Sequence, residues 1–310
     1  MILSASRRTD IPAYYYEWFL NRINEGYVLV RNPMNRKHVS KVLLPPDVVD
    51  CIVFWSKNPK AMMSKLQYLQ DYKYYFQFTL TPYENDIELG LPDKAYIIET
   101  FKTLSNLIGV EKIIWRYDPI LLNSTYTMAY HIEAFERIAK ELSGYTLKVI
   151  ISFIDIYTKI KKQMGRLGVF EISQSQQLEL SQRLFSIADA YNIRLETCAE
   201  NLDLSHIGIN RAACIDKKLI ESIIGYSIEA KKDKNQRSLC NCIQSIDIGA
   251  YNSCLYACSY CYANISPKNA RENYKKHNPY APLLIGELQE DDQIKERTVY
   301  SLKKSQLSLF

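Results

Sequence analysis

The stretch Gln244-Ser-Ile-Asp-Ile-Gly249-Ala-Tyr-Asn-Ser-Cys254-Leu-Tyr-Ala-Cys258-Ser-Tyr-Cys261 decides how the rest of the chain is read. Its first part, Gln244 to Gly249, is a short apolar run closed by glycine, the pattern of a strand. Three cysteines follow, separated by three and then two residues. A loop that short lets three thiolates converge over one corner of an iron–sulfur cube while the backbone stays outside. Only three of the four irons would then be claimed, and the fourth would take an outside ligand. A helical stretch from Pro267 to Lys276 comes next, so the order is strand, cysteine loop, helix.

Two other uses of the same cysteines stay open. Structural zinc could take them, although zinc knuckles present paired Cys-x2-Cys hooks rather than a triad. A disulfide framework suits small secreted chains, whereas this one has 310 residues and no apolar signal segment near its start. Eight cysteines in a chain expected to be cytoplasmic point to metal or redox chemistry.

The strand-then-helix unit recurs along the chain. Short runs rich in β-branched and aromatic residues begin at Ile2, Val28, Cys51, Tyr74, Lys112, Leu147, Ile193 and Ile243. Helical patterns fill most gaps: Pro12 to Asn24, Lys94 to Leu107, Ala129 to Leu142 and Gln177 to Tyr191. Repeated units of this kind imply parallel strands joined by right-handed crossovers. About seven or eight of them suggest an α/β chain folded as a TIM-like (β/α) barrel, one domain over residues 1–286 with its cysteine loop within 240–262. The tail 287–310 is charged at first and ends in Ser-Leu-Phe; it is expected to pack across the barrel bottom or be loosely ordered.

The composition is that of a globular chain, 47% hydrophobic and 24% charged, with no uninterrupted apolar run of about 18 residues to suggest a membrane span. A formal charge of +5 permits a phosphate-bearing partner without establishing one.

In (β/α) barrels the active site lies at the C-terminal ends of the strands. Arg7, Arg8, Lys57, Asn58, Thr79, Thr81, Arg116, Asp118, Asp155, Cys198 and Glu200 all follow or end a predicted strand, although many strand ends carry such residues merely as turn formers. Arg116 could grip a carboxylate or phosphate bidentately and Asp118 could accept from a hydroxyl, or the two could pair with one another. Arg116, Asp118 and Glu200 are the candidate catalytic residues. Outside the triad, Cys51 reads as a small buried hydrophobe. Cys198, Cys214, Cys240 and Cys242 could complete an all-cysteine site for a second [4Fe–4S] cluster or for zinc, or be unligated core thiols. His38, His131, His206 and His277 form no ligand pair and read as surface or packing residues.

Several segments carry a resemblance. Cys254-x3-Cys258-x2-Cys261, with Tyr260 before the last cysteine, resembles the signature of radical S-adenosylmethionine (SAM) enzymes. Ser4-Ala-Ser-Arg-Arg-Thr-Asp-Ile-Pro-Ala13, Phe54-Trp-Ser-Lys-Asn-Pro59, Phe76-Gln-Phe-Thr-Leu-Thr-Pro-Tyr83, Trp115-Arg-Tyr-Asp-Pro-Ile120 and Thr197-Cys-Ala-Glu200 are similar to runs in a bacterial family, the domain of unknown function 1848. That resemblance covers nearly the whole chain and brings a class without a substrate.

The radical SAM likeness implies that Cys254, Cys258 and Cys261 hold a [4Fe–4S] cluster whose fourth iron is chelated by SAM, and that Tyr260 lies beside the adenine. It also implies a flavodoxin- or ferredoxin-type reductant. In such enzymes the cysteine loop follows the first barrel strand, so its place near the end of this chain implies a circularly permuted barrel. The next strand in space would then be Ile2 to Ala5, bringing Ser4, Ser6 and Arg7 to the SAM side, where no Gly-Gly-Glu run is present. The substrate is expected to be a small molecule or a nucleic acid. Arg116-Tyr-Asp-Pro-Ile resembles a run in photoproduct lyases, which favours a nucleic-acid lesion. An electron-transfer iron–sulfur protein and a zinc-stabilised binding module are the alternatives.

Overall fold

The computed structural model describes residues 1–304. In chain order, β1 (Ile2–Ala5) leads to α1 (Ile11–Tyr14), α2 (Tyr16–Glu25), β2 (Tyr27–Arg31), β3 (His38–Leu43) and β4 (Cys51–Ser56). Then come α3 (Lys60–Met63), β5 (Tyr74–Thr79), α4 (Lys94–Ile108), β6 (Ile113–Ile120), α5 (Met128–Leu142) and β7 (Lys148–Phe153). The remainder holds α6 (Thr158–Arg166), α7 (Gln174–Ala190), β8 (Arg194–Thr197), β9 (Asn210–Arg211), α8 (Lys217–Ile224), β10 (Ile246–Asp247), α9 (Pro267–Tyr274) and β11 (Gln293–Glu296).

Eight strands form one sheet in the order β10-β1-β4-β5-β6-β7-β8-β9, and every neighbouring pair is parallel. A parallel sheet must be covered on both faces, and the period-2 alternation of the strands supplies two apolar faces. Leu3, Phe54, Phe76, Phe78, Trp115 and Ile151 point into one core with Trp18, Phe19, Phe101, Phe135 and Leu184 of the helices. Ile2, Cys51, Val53, Tyr75, Ile114 and Ile150 point the other way, into a second core shared with Cys198, Cys214, Ile215, Cys240, Cys242 and Ile243.

The loop after β9 crosses the sheet face that carries the second core. Strands β5 and β9 stand four ladders apart, about 19 Å in a flat sheet. Yet Cys214, three residues past β9, accepts hydrogen bonds at its carbonyl from Tyr75 Oη (2.7 Å) and Gln77 Nε2 (2.9 Å) of β5. Three residues reach at most about 10 Å, and the long Tyr75 and Gln77 side chains cover the rest of that span from the β5 side. Among the described residues no ladder joins β9 to β10; the Ile243 amide instead donates to the Ile215 carbonyl (3.2 Å) across that gap.

The strand–helix alternation and the parallel sheet agree with the sequence reading, with two corrections. The run beginning at Val28 is no strand of the main sheet: β2 pairs antiparallel with β3 in a separate three-stranded sheet with β11. Only residues 32–37 separate β2 from β3, too few for the dozen or more that a parallel crossover needs. The helix expected from Pro12 to Asn24 is two helices, broken at Tyr15 (φ −134°, ψ 20°), whose hydroxyl donates to the Ser253 carbonyl at 2.6 Å. The tail is knit in through residue 304. β11 lies parallel to β3, and Ser301 Oγ and the Leu302 amide donate to Asp50 at 2.6 and 2.8 Å, just before β4. The terminal Ser-Leu-Phe lies outside the described residues. Among those described, no helix is long and apolar enough to cross a membrane.

Candidate active site

A cavity of about 410 Å³ opens at the C-terminal ends of the parallel strands. Ligands of open parallel sheets and barrels bind at this end, because loops leaving the strands converge there. Of the residues anticipated from sequence, Ser6, Arg7, Arg116, Asp118 and Tyr260 line it, together with all seven cysteines outside β4: Cys198, Cys214, Cys240, Cys242, Cys254, Cys258 and Cys261. Ser4 and Glu200 do not. Ser4 is buried behind the wall, and the Glu200 carboxylate turns back to accept from the Phe153 amide at 2.9 Å. Burial pushes the Glu200 carboxyl up to about 7.

The triad thiols are free and half-buried. Their loop is clamped by the segment after β5: the Ser259 amide donates to Ile87 O (2.8 Å) and the Gly90 amide to Tyr256 O (2.9 Å). Gly90 has to be glycine for this approach, since a Cβ there would sit 2.9 Å from the Tyr256 carbonyl oxygen. Ala257 takes a left-handed conformation (φ 54°) beside Cys258, a local strain of the kind that clusters at ligand clamps.

Glu88 anchors the same loop from below. Its buried carboxylate accepts from the Tyr260 hydroxyl, from Lys57 Nζ and Lys94 Nζ (2.6 Å each) and from Thr81 Oγ1 (2.6 Å). Burial opposes ionisation, but the two ammonium groups win and hold the Glu88 carboxyl down to about 2. Lys57 thereby stands close to the thiols, its ammonium 5.5 Å from the centre of the Tyr260 ring.

The opposite support comes from Asp247 at the end of β10. It accepts from Ser4 Oγ (2.9 Å), Ser6 Oγ (2.7 Å) and the backbone amides of Arg7 and Gly249 (2.9 Å each). Gly249 is also required: a Cβ would lie 2.0 Å from Ser6 Oγ. Arg7 thus leaves a rigid turn and lays its guanidinium over Trp55, 5.1 Å from the ring centre.

On β6, Arg116 pairs with Asp118, whose other oxygen accepts from Ser152 Oγ. The pairing alternative drawn from sequence is therefore present, but both groups still face the cavity. Arg116 Nη1 also donates to Cys214 Sγ at 2.7 Å. Hydrogen bonds from Cys198 and Cys242, and then the Arg116 guanidinium, hold the Cys214 thiol well below the ordinary cysteine range. Among the described residues no three His, Cys, Asp or Glu side chains gather as a single metal ion requires.

Sequence reasoning missed Asp10, Glu88 and Asp247. Asp10 caps α1 and accepts from Ser56 Oγ (3.0 Å) and the Lys57 amide (2.7 Å); burial pushes its carboxyl up to about 6. Asp10 and Asp247 each follow or end an apolar run, so strand-end position was the available signal. Glu88 sits in a long loop with no such mark. The histidines are packing residues in part: His131 is fully buried and His277 Nδ1 meets the Leu284 carbonyl at 2.7 Å.

A family model described as a domain of unknown function (DUF1848) matches residues 2–263, from β1 to just past Cys261. No curated protein matches the chain.

Proposed function

The chain belongs to the DUF1848 family, and from that premise we propose that it is an iron–sulfur enzyme of the radical SAM type on a closed, circularly permuted (β/α) barrel. The observation that carries this reading is that three unpaired thiols in Cys-x3-Cys-x2-Cys spacing share one cavity with Arg7, Arg116 and Asp118. The permutation is supported by β10, which leads into the cysteine loop and pairs in parallel with β1 at the start of the chain.

The donor set fits a cluster. Cys254, Cys258 and Cys261 would hold it, leaving one iron for SAM. Burial pushes the Cys258 thiol up to about 12 and raises Cys254 and Cys261 as well, and such thiols become thiolates beside a coordinating cation. With SAM bound, a cluster of this type supplies one electron that splits the sulfonium into methionine and a 5′-deoxyadenosyl radical.

The chain's own groups bind and orient. Tyr260, its hydroxyl tied to Glu88, offers a fixed aromatic face for the adenine. Arg7, whose Nη1 lies 3.9 Å from Asp233 Oδ2, has its Nη2 without a hydrogen-bond partner to hold a carboxylate, while Asp118, braced by Arg116 and Ser152, accepts from a ribose or substrate hydroxyl. Tyr256, Tyr260 and Tyr262 line the cavity and exclude water. A volume near 410 Å³ falls in the usual range for small-molecule sites, roughly 300–1,000 Å³. The substrate is a small molecule or the reacting part of a nucleic acid, the reductant a flavodoxin or ferredoxin, and the location cytoplasmic.

Anaerobically purified protein tests this. It should be brown, and after dithionite reduction its electron paramagnetic resonance signal should change on adding SAM. Cys258→Ala should lose that response and keep its circular dichroism. A colourless protein with zinc and no iron would overturn the reading.

A further inference from the structure

Two of the thiols on the cavity wall that the proposed reaction does not use touch one another. Cys198 follows β8 and Cys214 follows β9, and their sulfurs lie 3.5 Å apart. Cys51, by contrast, is sealed within β4 at 0% exposure. We propose that Cys198 and Cys214 form a redox-active dithiol that reacts with small disulfides entering the cavity, cycling between two thiols and a Cys198–Cys214 disulfide.

The backbone holds the pair together. Thr197 and Arg211 are register partners, and the Ala212 amide donates to the Thr197 carbonyl at 2.7 Å, so the ends of β8 and β9 run side by side toward the two cysteines. The Cys198 amide donates to the Ile151 carbonyl at 2.9 Å, while the Cys214 carbonyl accepts from Tyr75 Oη and Gln77 Nε2. Ala199, directly after Cys198, takes a left-handed conformation (φ 56°), a strain of the kind that clusters at functional sites. A disulfide of about 2.05 Å needs the sulfurs to close by about 1.5 Å, a shift within reach of rotation about the two Cα–Cβ bonds.

The surroundings suit thiol chemistry. The thiolate is the form that attacks a disulfide, and reactive cysteines sit in electropositive, partly open places. Arg116 Nη1 donates to Cys214 Sγ at 2.7 Å while its Nη2 pairs with Asp118, and Arg237 Nη2 donates to the Cys198 carbonyl at 3.5 Å. Cys214 is therefore the attacking thiolate and Cys198 the resolving thiol. Cys214 Sγ attacks one sulfur of the small disulfide, whose S–S bond breaks and releases one thiolate. Cys198 then gives up its proton and attacks Cys214 Sγ, releasing the second thiolate. Both leaving thiolates take up protons, so two protein thiols are oxidised and one small disulfide is reduced to two thiols.

Full-length protein, purified anaerobically and freed of excess reductant, tests this with glutathione disulfide as the probe, followed by iodoacetamide and peptide mass spectrometry. A Cys198–Cys214 linked peptide is expected, with about two glutathiones released per chain and reversal by dithiothreitol. Cys198→Ser should instead accumulate glutathione on Cys214, and Cys214→Ser should leave Cys198 unlinked. Substituting all three triad cysteines by alanine should preserve the link, so the outcome is separate from that of the triad's cluster. The proposal is overturned if parent and triad variant, both folded by circular dichroism, yield Cys198 and Cys214 unlinked, or if the link joins another pair. Iron or zinc held by the triad variant that keeps both thiols from reacting would overturn it equally.

Discussion

Leu3 and Ile246 are register partners in the parallel ladder between β1 and β10. The first strand of the chain therefore lies beside the strand that delivers the cysteine loop, and Asp247, the next residue, ties the two together. Asp247→Ala removes the acceptor of four hydrogen bonds from Ser4, Ser6, Arg7 and Gly249. A loss of about 3 kcal/mol in urea unfolding is expected, since hydrogen bonds to a charged group contribute about 1.5–3 kcal/mol each and are not additive. A change below about 0.5 kcal/mol would contradict this role.

Glu88→Gln strips the charge that Lys57 and Lys94 face. Removing one partner of a buried ion pair costs about 3–5 kcal/mol, so the variant should melt well below the parent. Glu88→Ala combined with Lys57→Met should recover part of that loss, which a double-mutant cycle would measure.

Gly90→Ala presses a methyl group against the Tyr256 carbonyl. The expected outcome is a chain of unchanged secondary structure that retains several-fold less iron after gel filtration. Retention equal to the parent would show that the loop yields without disturbing the triad.

His131 sets an acid limit on stability. Its ring is enclosed by the Tyr117 hydroxyl (2.8 Å) and the Leu121 carbonyl (2.9 Å), and burial lowers its pKa to about 4. The unfolded chain takes up this proton near 6.5 and the fold only near 4, so stability falls as pH drops through that window, by up to about 3 kcal/mol. Asp10 runs the other way: its folded pKa, raised to about 6, gives stability that is full below about 3.8 and lost as pH rises to about 6. Melting temperatures between pH 7 and 4.5 should fall less steeply for His131→Gln and more steeply for Asp10→Asn than for the parent.

Much of the fold was legible because parallel strands buried on both faces read as short, strongly apolar runs and their helices as clear 3.6-residue patterns. Tyr27–Arg31 misled because its composition suits either sheet, and only the short link to His38 tells that it turns back. The site was legible where chemistry follows a strand end, as at Arg7, Arg116, Cys198 and the triad. Glu88 was not, because its importance comes from Lys57, Lys94 and Tyr260, which lie far apart in sequence and meet only in the folded chain. Ser4, within β1, and Glu200, past the end of β8, showed the reverse: polar residues whose partners, Asp247 and the Phe153 amide, turn them away from the cavity.

The most direct measurement of the central claim is release of 5′-deoxyadenosine from SAM by anaerobically reconstituted, dithionite-reduced protein, followed by chromatography. The account predicts release that is stoichiometric or greater for the parent chain and absent for Cys258→Ala. No release from a parent chain carrying its full complement of iron and sulfide would contradict it.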